Sequence, residues 1–135
     1  MIRFYSATQS VPAISSGESE FYAIVRGLST GLGIQTNFMD LGKKVDLELG
    51  TDSSAAKTMA TRLGLGRARH IETQLLWVQH VFREKRAKIY KELGTENESD
   101  LGTKYVDYKT MVHLLDKLNF KFEQGRSSKA LKAAY

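Results

Sequence analysis

The sequence predicts an α/β domain on three observations: apolar residues at helical spacing in three stretches, apolar–polar alternation in two others, and the order in which they follow one another. At 135 residues the chain is long enough for one domain with a core of its own. Its apolar fraction of 41% and charged fraction of 26% are ordinary for a globular protein.

Residues 2–14 read as extended, with Phe4, Val11 and Ile14 as strand formers and Pro12 marking an edge or bulge. Ser15-Ser16-Gly17-Glu18 fits a helix capping box, and Phe21, Val25, Leu28 and Leu32 then form one apolar stripe. Gly31 and Gly33 are expected to end that helix. Asp40 to Lys44 reads as a turn, and Val45, Leu47 and Leu49 alternate with Asp46 and Glu48 as a half-buried strand running into Thr51-Asp52. Ser53 to Arg62 is an Ala-rich helix, broken by Leu63-Gly64-Leu65-Gly66. A basic connector, Arg67-Ala68-Arg69-His70, leads into a longer helix from Ile71 to Arg86 with Ile71, Leu75, Val78 and Phe82 on one face; Trp77 belongs with the core. Ala87 to Leu93 is a further strand, Gly94 to Glu98 a loop, and Ser99 the cap of a short helix. Tyr108 to Leu118 closes the pattern with Met111, Leu114, Leu115 and Leu118.

Charge is unevenly placed. The net charge is +5, yet residues 117–135 alone carry Lys117, Lys121, Arg126, Lys129 and Lys132 against Glu123. The remaining 116 residues are therefore nearly neutral, with 15 basic and 14 acidic groups, and beyond a domain over residues 1–120 the basic tail of residues 121–135 either contacts phosphates or is simply solvated. No cysteine is present, which excludes a disulfide framework and a thiolate zinc site. Met1-Ile2-Arg3-Phe4-Tyr5 holds no apolar run of the secretory kind, and apolar runs elsewhere are short, so no membrane partner is expected.

Three acidic segments stand out in chain order: Glu18-Ser19-Glu20, Thr51-Asp52 and Glu96-Asn97-Glu98-Ser99-Asp100. Each puts a carboxylate at a helix start or a strand end. Carboxylates that converge suit a hard cation such as Mg²⁺, which takes oxygen ligands.

With Ser15-Ser16-Gly17-Glu18-Ser19-Glu20-Phe21-Tyr22-Ala23-Ile24, Thr51-Asp52-Ser53-Ser54-Ala55-Ala56-Lys57, Arg69-His70-Ile71-Glu72 and residues 94–104 in that order, the chain resembles the ribonuclease H domain of copia-type retrotransposon polyproteins, from about residue 3 to about residue 120. The resemblance implies a ribonuclease H-like fold, a mixed five-stranded sheet flanked by helices, here lacking the first two strands. It implies metal-dependent hydrolysis of the RNA strand of an RNA–DNA hybrid with two Mg²⁺ ions, or Mn²⁺ in their place. By the same resemblance Glu20 is the helix carboxylate, Asp52 the carboxylate at the end of the central strand, and Asp100 the last carboxylate. Arg67, Arg69, His70 and Lys104 are the expected contacts to nucleic acid, and the expected location is intracellular, in cytoplasm, nucleus or the virus-like particle of a parent element.

The pattern is incomplete. The family's first strand carries an aspartate that bridges the two metals, and no aspartate precedes Glu20 here; nor does Gly94-Thr95-Glu96 hold the histidine that cellular relatives place there. The chain reads as starting at the third strand of that fold, a 5′-truncated or misannotated open reading frame of a mobile element. Its first strand is then an exposed edge through which copies self-associate. Two other readings stay open: a catalytically dead remnant that binds nucleic acid through its basic residues, and a relic with no function. Single residues have plainer readings too. Glu18 serves the capping box, Glu20 is a solvated acid favoured by the helix dipole, Asp52 caps the next helix, and Arg67 and Arg69 form a solvated turn.

Overall fold

The computed structural model describes residues 12–64, 66 and 69–120, with residues 9 and 125 singly. The strand expected over 2–14, its exposed edge and the basic tail lie outside the described residues. Those that are described form a mixed α/β structure of five helices and a two-stranded parallel sheet. They divide into two compact units, the first reaching Gly94 and the second starting at Thr95.

In the first unit α1 (Ser16–Asp40) begins where the capping box puts it, with Ser15 Oγ accepting from Glu18 N–H at 3.2 Å. It does not stop at Gly31 or Gly33 but runs on to Asp40. Its end is set at Gly42, whose φ of +73° lets Lys43 N–H reach back to Phe38 C=O at 2.8 Å. Gly31 has another use. A Cβ there would stand 2.5 Å from Leu47 Cδ1, and one at Gly27 would stand 3.1 Å from Leu49 Cδ1. These glycines are one turn apart and let the helix lie close against the strand that follows.

That strand is β1 (Glu48–Thr51), shifted a few residues beyond the expected span. It pairs in parallel with β2 (Lys88–Lys91), Glu48 opposite Lys88 and Thr51 opposite Lys91. Leu47, Leu49 and Ile89 pack against the core, whereas Glu48 and Lys88 point away and form an ion pair at 3.1 Å. On this outer face a Cβ on Gly50 would meet the Tyr90 hydroxyl at 2.9 Å and a Glu92 carboxylate oxygen at 2.8 Å.

Between the strands come α2 (Ser54–Thr61), a 3-10 turn (Arg69–Ile71) and α3 (Glu72–Arg83). The buried side chain of Gln79 on α3 donates to Met59 C=O and Gly64 C=O, at 3.1 and 3.0 Å. It thereby fixes the end of α2 and the glycine break against α3. Phe21, Ile24 and Leu28 of α1, Ala56 and Ala60 of α2, and Leu75, Val78 and Val81 of α3 form one buried core. Trp77 packs against it as expected. Ile24 completes the apolar stripe of α1, which the spacing of Phe21, Val25 and Leu28 leaves out. The sequence places the end of α3 at Arg86; it comes at Arg83, with Lys85 at φ 55° turning the chain out.

After a 3-10 turn (Gly94–Glu96) at the boundary, the second unit contains α4 (Asp100–Thr103) and α5 (Tyr108–Lys117). Ser99 precedes α4 without capping it; its N–H is taken by Asn97 Oδ1 at 3.1 Å. Asp107 caps α5, accepting from Thr110 N–H at 2.7 Å, and that bond holds its carboxyl below the usual range. Of the apolar face expected on α5, Leu114 is fully buried and Met111, Leu115 and Leu118 are half-buried. No described helix is long and apolar enough to cross a membrane.

Candidate functional site

Parallel strands deliver their carboxyl ends to one edge, and in open α/β sheets ligands gather at that edge. Asp52 stands there, directly after β1 and half-buried. It is not the cap of α2: Ser53 is, its Oγ accepting from Ala56 N–H at 3.2 Å while Thr51 Oγ1 accepts from Ser53 N–H at 3.1 Å. The short polar residues around Asp52 thus settle the backbone of the turn themselves. From the neighbouring strand Lys91 reaches across and donates its ammonium to the Asp52 carbonyl.

The start of α1 comes to the same corner. A Cβ on Gly17 would lie 3.1 Å from the Ala55 methyl, so the first turn of α1 abuts the first turn of α2. Glu20 lies one turn on from Gly17 along α1, on the same side of the helix and exposed. Glu20 and Asp52 are therefore carried by elements that meet at one end of the first unit.

Glu18 does more than complete a capping box. Its side chain is 5% exposed, and Oε1 lies 2.9 Å from His70 Nε2. Its other oxygen accepts from Ile14 N–H at 3.2 Å rather than from Ser15, so only half of the capping box forms. Burial pushes the Glu18 carboxyl up; hydrogen bonds from His70, Ile14 N–H and Tyr22, with the attraction of the imidazole, outweigh it and hold the group below the usual range. Tyr22 is moved the other way, its hydroxyl raised by burial and by the neighbouring carboxylate. His70, one of the residues expected to contact nucleic acid, joins the 3-10 turn before α3 to the first turn of α1.

Asp100 belongs to the second unit. It is half-buried and forms an ion pair with Lys104 at 2.9 Å, one helical turn away. A residue expected to hold metal and one expected to hold phosphate thus engage each other. Nearby, His113 Nε2 lies 3.0 Å from both Glu96 oxygens, and Lys117 bridges Glu96 and Glu98 at 3.4 and 3.0 Å. The hydrogen bond from His113, opposed by burial and aided by Lys117, keeps the Glu96 carboxyl below its ordinary range. The sequence reading misses this network. Its only sign in the sequence is that His113 and Lys117 are four apart on the polar side of a predicted helix.

Arg67 lies outside the described residues, and for Arg69 only the backbone is described. The donor chemistry of Glu20, Asp52 and Asp100 is that of a hard cation. Among the described residues, however, no three His, Asp or Glu side chains gather where they could hold a metal ion. No protein family, curated protein or solved structure matches the chain.

Proposed function

We propose that the chain is the metal-dependent hydrolase part of a copia-type retroelement ribonuclease H, directed at the RNA strand of RNA–DNA hybrids inside the cell. The observation that carries this reading is Asp52 at the carboxyl end of the parallel strand β1, beside which α1, the helix that bears Glu20, abuts α2. The mixed α/β order of helix, strand, two helices and strand supports it. In this class Mg²⁺ ions activate water and stabilise the leaving oxygen. Of this chain's residues, Glu20 and Asp52 in the first unit and, by itself, Asp100 in the second carry oxygen donors of the kind such ions take, while Lys91 at the Asp52 carbonyl helps fix the turn.

A second reading, a remnant that binds hybrid without cutting it, is favoured by the Asp100–Lys104 pair, which engages one of the carboxylates expected at the cation. One experiment separates the two. An end-labelled RNA–DNA hybrid is incubated with the chain in Mg²⁺, in Mn²⁺ and in EDTA, and binding and cleavage are read together. On the hydrolase reading, cleavage is slow, confined to the RNA strand, dependent on the cation and abolished in Asp52→Asn. Binding with no cleavage under any cation establishes the remnant, and a chain that neither binds nor cuts defeats both.

A further inference from the structure

Lys91 ends β2 and stands opposite Thr51, the last residue of β1. Glu92 N–H still donates to Thr51 C=O at 2.9 Å, so the two strands stay joined up to the rim where they present their carboxyl ends. Successive side chains along a strand point to opposite faces. Tyr90 and Glu92 lie over Gly50 on the outer face, so Lys91 leaves the sheet on the other one. There its ammonium crosses to the Asp52 carbonyl.

A surface lysine ordinarily keeps its stem free, because fixing it costs rotamer freedom. Lys91 is exposed, yet its head is tied to one backbone oxygen. The kind of partner matters. Lys88, Lys104 and Lys117 each hold a carboxylate, which offsets the charge of the ammonium. Among the described residues Lys91 holds a neutral carbonyl alone, and its positive charge is not offset by an ion pair. An ammonium has three donors, of which the carbonyl takes one. A charge fixed in this way at the carboxyl edge, where ligands of parallel sheets gather, suits an anion. The side chain of Asp52 beside it is acidic, so a phosphodiester arriving at that edge meets repulsion that a neighbouring ammonium counters.

We propose that Lys91 binds a phosphate of the RNA–DNA hybrid beside Asp52, through the N–H groups that the Asp52 carbonyl leaves. The identity of the ligand rests on the hydrolase reading, and the contact deepens that reading by naming where the substrate backbone lies. Because the carbonyl already holds the ammonium in place, little rearrangement is needed when the phosphate arrives.

The test is fluorescence anisotropy of a labelled hybrid in EDTA, between about 50 and 200 mM salt. Lys91→Gln keeps a donor for the Asp52 carbonyl and removes the charge; Lys91→Met removes both. In each, the slope of log affinity against log salt should become shallower by roughly one, as for one lost phosphate contact. Lys91→Arg should keep the wild-type slope, and so should Lys88→Met, at the other end of the same strand. A lysine that only braced the turn would alter melting and leave the slope alone. If Lys91→Met does not fold, Lys91→Gln carries the test. An unchanged slope in Lys91→Gln overturns the proposal, and does so without touching the hydrolase reading if the wild type still cuts the RNA strand. A shallower slope with no cleavage under any cation upholds the phosphate contact and defeats hydrolysis. A wild type that does not bind the hybrid overturns both.

Discussion

Glu18 is the residue where local and distant structure meet. It lies in the first turn of α1, yet its carboxylate is committed to a histidine 52 positions away. Because its folded pKa is lowered, the stability it contributes is complete above its ordinary value of 4.5 and is lost as pH falls through the lowered one. Glu18→Gln should therefore lower the urea midpoint near neutrality, with the gap to wild type closing below about pH 4 as the wild-type carboxylate protonates. A gap that stays constant down to about pH 3 would show that the carboxylate's charge is immaterial. Lys85 offers a second test at this scale. It holds φ 55°, a conformation that costs a side chain about 1–2 kcal/mol. Lys85→Gly should raise the melting temperature by a few degrees, and a drop would mean that the Lys85 side chain makes contacts worth more than the strain.

Among the elements, α1 is the most instructive. Its start is legible in Ser15-Ser16-Gly17-Glu18, and its burial in the stripe from Phe21. Its end is not, because Gly31 looks like a stop signal when only neighbours in sequence are considered. Gly31 is small for the sake of Leu47, a contact that exists only once the strand folds back. The same reasoning explains the site. Asp52 after a strand could be placed from the pattern, whereas Ser53 taking the capping role, the Glu18–His70 pair and the Glu96–His113 pair depend on approaches that no periodicity announces. The two glycines of α1 can be set against each other. Around Gly33 nothing lies within 4 Å of a built Cβ, so Gly33→Ala should stabilise by about 0.5–1 kcal/mol. Gly31→Val should instead cost about 1–3 kcal/mol by driving into Leu47, with partial recovery on adding Leu47→Ala. Thermal melts of the three variants decide it, and equal effects at both glycines would contradict the packing of α1 on β1.

At the scale of the whole molecule, the two strands found among the described residues are too few to be stable alone, and their sheet holds because helices cover it. Leu75, fully buried on α3 amid residues of α1 and α2, is central to that cover. Leu75→Ala should cost about 2–5 kcal/mol, a large share of the roughly 5–15 kcal/mol that holds a domain of this kind together. Chemical denaturation followed by far-ultraviolet circular dichroism measures it, and a loss below about 1 kcal/mol would argue against one shared core for the three helices.

The pairing of β1 with β2 has a further consequence, for the order of events as the chain is made. Glu48 meets Lys88 across 40 residues of sequence. At a synthesis rate of about 5–20 residues per second, β1 leaves the ribosome roughly 2–8 seconds before its partner exists. Through that interval α1 can already lie over Leu47 and Leu49, sheltering the apolar face of the waiting strand.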